Sequence, residues 1–343
     1  MDLKDFDHNG VGVSNGNIFA LPFDENNAEL VIVPATWDVT VSYGDGTVEG
    51  PSQIIEASDQ IDYYNHLFNG FWRKGIYSLP IDEKWLNKSK ELREKSTEYI
   101  KALENGEDVS TFLDTLKLIN AECRSFLDFI KHKALYQIEE GKKVAMIGGD
   151  HSTSLAMIEA LAHEYDSFGI LQFDAHADLR EAYEGFEYSH ASVMYNAIKV
   201  PQVKKLVQVG IRDICDEEVG LIKSNPTKIH TYYDQGLKHA MFEGQSWKKI
   251  CLEIIDRLPE FVYISFDIDG LDPKLCPNTG TPVPGGLEYE QACYLFEQLS
   301  LSGRKIIGFD VVEVSNGLNG DWDANVGMRL VYRLCGAMLK SGK

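Results

Sequence analysis

The stretch Phe173-Asp174-Ala175-His176-Ala177-Asp178 follows the apolar run Gly169-Ile-Leu-Gln-Phe173 and offers three metal-binding side chains at alternate positions. Successive side chains of a β-strand point to opposite faces, so residues at i, i+2 and i+4 share a side and Asp174, His176 and Asp178 can converge. The apolar run reads as a buried parallel strand, and open α/β sheets take their ligands outside the carboxyl ends of such strands. Two further strings repeat the design. Tyr263-Ile-Ser-Phe-Asp267-Ile-Asp269 ends an apolar strand in two carboxylates one residue apart, and Val144-Ala-Met-Ile-Gly-Gly-Asp150-His151 ends another in a turn that carries a histidine. A single Asp at a strand end more often caps the next helix, and a single His is more often a satisfied core or surface residue. The joint pattern decides otherwise. Four carboxylates and two imidazoles at three strand ends suit two divalent ions bridged by carboxylates, a geometry that makes a nucleophile of water at neutral pH. Oxygen and nitrogen ligands without thiolates favour Mn²⁺ over Zn²⁺ or Cu²⁺.

Outward from these strings, the chain alternates between short apolar runs and helical segments. Leu30-Val-Ile-Val-Pro34, Gly75-Ile-Tyr-Ser-Leu-Pro80, Leu206-Val-Gln-Val-Gly210, Ile229-His-Thr231 and Ile306-Ile-Gly-Phe309 read as further strands. Gly50-Pro51 opens a helix, with proline in the first turn and Ile54, Ile55 and Ala57 behind it, and residues 152–161 form another. The alternation predicts an α/β fold, a mostly parallel sheet with helices on both faces. Between residues 81 and 140 the character changes to charged and helical. Phe112, Leu116, Ile119, Cys123, Phe126, Ile130, Ala134 and Ile138 recur at steps of mostly three and four, the mark of a long amphipathic helix, with Asp108 and Ser110 offering caps. Residues 1–28 are polar and rich in Gly and Asn and read as an N-terminal surface arm suited to meeting a neighbouring subunit. Residues 29–343 read as a single domain with a helical insertion near 81–140.

The 343 residues, 44% hydrophobic and 25% charged, belong to an ordinary globular protein with a large core. No stretch reaches the length of a membrane span. The start, Met1-Asp-Leu-Lys-Asp-Phe-Asp-His8, lacks a basic stretch followed by an apolar one, so the expectation is a cytoplasmic protein. Six cysteines without CxxC spacing favour reduced, buried thiols. A net charge of −20 argues against a nucleic-acid partner and suits a cationic substrate.

Three more residues carry chemistry. His190, fourteen residues past His176 in a loop over the site, is suited to proton transfer because an imidazole titrates near neutrality. Glu313, after the last strand, can bind a planar cation through paired charge-assisted hydrogen bonds, a role that neighbouring Asp310 shares as a candidate. Thr281, in a loop rich in turn formers, is a candidate substrate contact, and the glycine-punctuated loop 42–51 lies at a strand end where it can line the site.

Together these strings resemble the ureohydrolase family of arginases, agmatinases and formimidoylglutamases. Gly148-Gly-Asp-His-Ser152, Asp174-Ala-His-Ala-Asp178 and Ser265-Phe-Asp-Ile-Asp-Gly-Leu-Asp-Pro273 match its three metal signatures without a gap, and the resemblance runs from about residue 30 to the C-terminus. It implies a three-layer α/β/α sandwich with a mainly parallel sheet of about eight strands, assembled as trimers or hexamers. It further implies two Mn²⁺ per subunit, one held by His151, Asp174, Asp178 and Asp267 and the other by Asp174, His176, Asp267 and Asp269. In that scheme a hydroxide bridging the ions attacks the guanidinium carbon, Asp178 also orients it, His190 moves a proton towards the leaving amine, and Glu313 holds the guanidinium.

Within the family, arginases grip an α-amino acid through an Asn two residues after DxHxD, where this chain has Arg180. The string Asp178-Leu-Arg-Glu-Ala-Tyr-Glu-Gly185 with Tyr188-Ser-His-Ala191 is similar to agmatinases, and formimidoylglutamases usually lack a histidine equivalent to His190. The resemblance therefore implies an agmatinase that releases urea and putrescine. Two departures keep other guanidino substrates open, namely guanidinobutyrate, guanidine and arginine, or a formimidoylglutamase activity. Ile55 stands where the agmatinase pattern has Arg, and the helical segment is longer than in compact agmatinases. The far end of the substrate, which no residue of a metal centre reads, decides among them. A single-zinc deacetylase of related fold would not need the second ligand set, and a metal-binding pseudoenzyme would be favoured by a lost ligand, of which there is none.

Overall fold

Eight apolar runs become strands in the computed structural model, which describes residue 3, residues 6–317 and residues 320–342. They are β1 (Leu30–Ala35), β2 (Ile76–Ser78), β3 (Lys143–Gly148), β4 (Phe168–Phe173), β5 (Val203–Ile211), β6 (Ile229–Tyr233), β7 (Phe261–Asp267) and β8 (Lys305–Val312). They form one sheet in the order β2-β1-β3-β8-β7-β4-β5-β6, and every neighbouring pair is parallel. A parallel pair needs a crossover, so helices cover both faces and the strands read as continuous apolar runs.

The two faces separate by sequence parity. Leu30 and Ile32 of β1 point into one core layer, with Ile147, Phe173, Phe266 and Phe309. Val31 and Val33 point into the other, with Met146, Ile170 and Tyr263. The first layer is closed by α1 (Gly50–Ala57), α7 (Asp234–Phe242), α8 (Trp247–Ile255), α9 (Tyr289–Leu301) and α10 (Trp322–Lys340). The second is closed by α2 (Glu83–Glu104), α3 (Leu113–Glu139), α4 (Ser154–Glu164), α5 (Val193–Ala197) and α6 (Asp216–Ser224). The result is the three-layer arrangement expected from the alternation.

The charged segment forms α2 and α3, which pack on one another and on the second layer. Asp82 caps α2 by accepting from the Trp85 N–H at 3.1 Å, and Asp108 accepts from the Ser110 N–H at 2.9 Å in the short turn before α3. Phe126 of α3 stacks on Trp37, 4.5 Å between centroids, and Trp85 of α2 meets both rings edge-on. This aromatic knot joins the helical pair to the loop that follows β1.

The N-terminal segment is not a surface arm throughout. Residues 7–16 are exposed, but Asn17, Ile18, Phe19, Ala20 and Leu21 are buried, and Ile18, Phe19 and Leu21 join the first core layer. Asn17 donates to the Leu21 and Ile76 carbonyls and accepts from the Ser78 N–H, which docks this segment along β2. Its polar flanks hide a four-residue apolar anchor. Among the described residues no helix is long and apolar enough to cross a membrane, and all six cysteines are free thiols.

Candidate metal centre and its pocket

The strands β3, β8, β7 and β4 are consecutive in the middle of the sheet, and their carboxyl ends carry the charged strings. Ligands of doubly wound sheets sit at such a position, where the chain switches direction across the sheet. His151 follows β3 after Gly148-Gly149-Asp150, and glycine is required at 149 because a Cβ there would lie 2.0 Å from the Trp37 carbonyl oxygen. Asp267 is the last residue of β7, Asp269 lies in the turn after it, and Glu313 is one residue past β8.

Asp174, His176 and Asp178 lie just beyond β4, which ends at Phe173. Their convergence therefore comes from the loop and not from strand alternation. Asp174 Oδ1 accepts from the His176 N–H at 2.6 Å, and Asp178 adopts a positive φ of 55°, which turns the chain back over the site. Glu313 is likewise at φ 61°. Such conformations cost about 1–3 kcal/mol each in a non-glycine residue and collect where a side chain must be aimed.

Two clusters result, and they share Asp174. His151, Asp174 and Asp267 form one, and Asp174, His176 and Asp269 the other. His151 Nδ1 is 3.0 Å from Asp174 Oδ2, 2.9 Å from Asp178 Oδ2 and 3.3 Å from Asp267 Oδ2. His176 Nδ1 is 3.0 Å from Asp269 Oδ2 and 3.6 Å from Asp174 Oδ1. All four aspartates and His151 are buried.

Crowding on this scale shapes the protonation. Burial and the neighbouring Asp174 charge push Asp178 up to about 7, and burial with Asp269 and Asp174 pushes Asp267 well above the carboxylate range. Burial alone would lower His151, but hydrogen bonds to Asp174, Asp178 and Asp267 raise it far above its usual value. Burial also opposes charge on His176, yet the Asp269 and Asp174 carboxylates carry it to about 12. The protein thus crowds buried carboxylates around two imidazoles, and an isolated buried charge is very costly. His151 Nδ1 points into the middle of the Asp174, Asp178 and Asp267 carboxylates. An imidazole nitrogen ringed by carboxylate oxygens is a donor set that fits divalent ions.

Beside the clusters opens a pocket of about 160 Å³ lined by His176, Asp178, His190, Thr281, Ser42 and Arg180, among others. Thr281 Oγ1 is 3.4 Å from Asp269 Oδ2. Burial, then the charges of His176 and His151, lower His190 to about 3, so its ring is neutral at ordinary pH. Glu313 is set back from this pocket, with Oε1 accepting from the His151 N–H at 2.8 Å. Its Oε2 lies 3.5 Å from where a Cβ on Gly280 would sit. Burial and Asp150 raise Glu313 well above its ordinary value. The Ser42 loop is tied to the Thr281 loop by Gly44 N–H donating to the Gly280 carbonyl at 3.1 Å.

Residues 28–336 match the Arginase family. The chain belongs to the arginase family. It is 29% identical over 321 residues to the N(1)-aminopropylagmatine ureohydrolase of Thermus thermophilus, covering 92% of this chain and 91% of that one. It is 28% identical to the agmatinase of Neisseria meningitidis, over 90% of this chain and 87% of that one. The crystal structure of the agmatine ureohydrolase of Thermoplasma volcanium superposes with a TM-score of 0.71 at 23% identity, covering 96% of both chains, and shares the fold. This chain is therefore an arginase-family hydrolase.

Around this arginase-family centre stand supports that the motif reading did not reach. Ser265 Oγ is 3.0 Å from His151 Nε2 and donates to Asp310, which also accepts from the Phe266 N–H and the Tyr263 hydroxyl. Asp310 is thus a buttress behind His151 and not a substrate ligand. Gln172 donates to Asp174 Oδ2 at 2.7 Å, Gln208 donates to Gln172 at 2.7 Å, and Thr231 donates to Gln208 at 2.7 Å. The signal was present in part, because Ser265 sits two residues before Asp267 on the same face of β7.

Replacing Asp269 by alanine removes a member of the second cluster and the carboxylate facing His176. The metal content of the purified variant, measured by plasma mass spectrometry, is expected to fall from two ions per chain to one, with turnover lost. Two ions and normal turnover would remove Asp269 from the site.

Proposed function

We propose that this chain is a manganese ureohydrolase that cleaves the guanidinium group of agmatine to urea and putrescine. The observation that carries the reading is the pair of His/Asp clusters sharing Asp174 beside a small pocket. In it, His151, Asp174, Asp178 and Asp267 would hold one ion, and Asp174, His176, Asp267 and Asp269 the other. Two such ions, when bound, would supply Lewis acidity and lower the pKa of water to near neutrality. Asp178, at the pocket wall, orients the attacking water. Glu313 offers its free Oε2 to the guanidinium, whose charge relieves the buried carboxyl. His190, at the pocket wall, would accept a proton and return it to the departing amine once bound ions displace the protons of His176 and His151, whose charges lower it. The acidic Asp213 at the pocket mouth, the net charge of −20 and the names of the relatives support an amine-tailed substrate. We extend the proposal to a cytoplasmic homo-oligomer, a trimer or hexamer, as the family resemblance implies.

A second reading has its own observation. Arg180 lines the same pocket with its guanidinium 5.0 Å over the Tyr183 ring and with no carboxylate in salt-bridge reach among the described residues. A substrate tail ending in carboxylate, as in guanidinobutyrate, would pair with it.

Urea release from the Mn²⁺-loaded protein against agmatine, guanidinobutyrate, guanidine and arginine tests the proposal. Selective turnover of agmatine is expected. Selective turnover of guanidinobutyrate would transfer the assignment to the second reading, and no urea from any of the four by protein carrying two ions would contradict the agmatine assignment and point to a different guanidino tail or a pseudoenzyme. His190→Ala is expected to keep both ions and to slow the preferred substrate by roughly 10²–10⁴, the usual worth of a general acid–base residue. An unchanged rate would remove His190 from the mechanism.

A further inference from the structure

The His190 ring has a peculiarity. Its Nδ1 is buried without a partner, and the imidazole makes no hydrogen bond among the described residues. His151 is oriented by Ser265 and His176 by Asp269, but His190 is not anchored in that way. A proton-transfer group must nevertheless be held, because a misplacement of about 1 Å can cost about a hundredfold in rate. Its ring contact is Tyr183, whose ring stands edge-on to the imidazole at 6.0 Å and 80°.

Tyr183 opens a tight turn. Its N–H donates to the Phe186 carbonyl at 3.1 Å, and the Phe186 N–H donates back at 2.8 Å. The central residues Glu184 and Gly185 have φ of 53° and 82°, the positive pair of a type I′ turn. Glutamate in that conformation is strained, so something outside the turn must hold it. The helical pair α2–α3 does so. The Tyr99 hydroxyl donates to the Glu184 carbonyl at 2.8 Å. Asn120 makes two bonds, donating from Nδ2 to the Gly185 carbonyl at 3.1 Å and accepting from the Glu187 N–H at 2.9 Å. Tyr99 also meets Phe186 edge-on at 5.5 Å. Gly185 is required by its φ and by proximity, since a Cβ would lie 2.9 Å from a Leu116 methyl.

Helix α2 also braces the loop that carries pocket-lining Ser42. Arg93 and Ser96 donate to the carbonyls of Val41 and Val39 in that loop, and Ser89 accepts from the Asp38 N–H at 3.3 Å. The segment with no motif in the sequence touches both loops that frame the site.

We propose that the α2–α3 pair is a positioning device for His190: Tyr99 and Asn120 hold the Tyr183–Phe186 turn, and the turn sets the Tyr183 ring that fixes the imidazole. The inference rests on the proton-transfer role given to His190 above.

A double-mutant cycle tests it with the substrate that the enzyme turns over. Asn120→Ala is expected to lower kcat roughly ten- to a hundredfold, with KM changed less than kcat and metal content unchanged. Tyr99→Phe, which keeps the ring packing, is expected to give a smaller loss of the same kind. In the His190→Ala background, Asn120→Ala is expected to have no further effect, because residues acting through one another are not additive. Hydrogen exchange of the 183–187 amides is expected to quicken in Asn120→Ala with the rest of the chain unaltered. Equal slowing by Asn120→Ala in both backgrounds, or a wild-type kcat in both Asn120→Ala and Tyr99→Phe, would overturn the inference while leaving the function intact. A full rate in His190→Ala alone would overturn the inference together with the proton-transfer role of His190, and is visible before the second substitution is made.

Discussion

Everything in this chain answers to one electrostatic constraint, the gathering of four buried aspartates around two imidazoles at the end of a parallel sheet. Within hydrogen-bond distance of His151 Nδ1 stand two carboxylates, and a third is at 3.3 Å. In a site shut off from water these groups repel one another strongly, and the repulsion appears as carboxylates pushed up and histidines forced to keep protons. Such a cluster is a poor way to stabilise a fold. It is a good way to bind divalent cations, and the rest of the structure supplies the means to hold its side chains in place.

Those means are architectural. Eight parallel strands with helices on both faces bring four strand ends side by side, so that one residue from each of four distant segments faces a common point. Behind the candidate ligands run polar chains: Ser265 to Asp310 to Tyr263 under His151, and Gln172 to Gln208 to Thr231 under Asp174. Each fixes the orientation of a side chain in the cluster, the part that partners behind the ligating atoms play in metal sites generally. The aromatic stack of Trp37 on Phe126 then fastens α2 and α3 beside the pocket, where their polar side chains reach the backbone of its walls.

Much of this was legible in the sequence, for physical reasons. A buried parallel strand is close to continuously apolar, so the central strands announced themselves as runs such as Leu30–Pro34 and Ile306–Phe309, and metal-binding side chains at their ends stood out against that background. The clustering of His151, Asp174, His176, Asp267 and Asp269 followed from spacing and strand ends. The reason first given for Asp174, His176 and Asp178 did not hold, because the strand stops at Phe173 and a left-handed residue at Asp178 closes the loop instead. Backbone dihedrals of this kind leave no pattern in composition. Nor do contacts between segments far apart in the chain: Asn120 reaches Gly185 across 65 residues, and nothing in an amphipathic helix marks which exposed asparagine will find a turn. The anchor Ile18–Leu21 was missed because a window average over its polar flanks dilutes four apolar residues.

Two His/Asp clusters that share a carboxylate would hold two ions in close reach of each other. The most direct measurement is a Mn²⁺ titration of metal-free protein, with bound ions counted per chain and the electron paramagnetic resonance spectrum recorded at saturation. Sharing of Asp174 between the clusters predicts two ions per chain and the spectrum of a magnetically coupled pair. Saturation at a single ion, or two ions giving only the signal of isolated Mn²⁺, would contradict it.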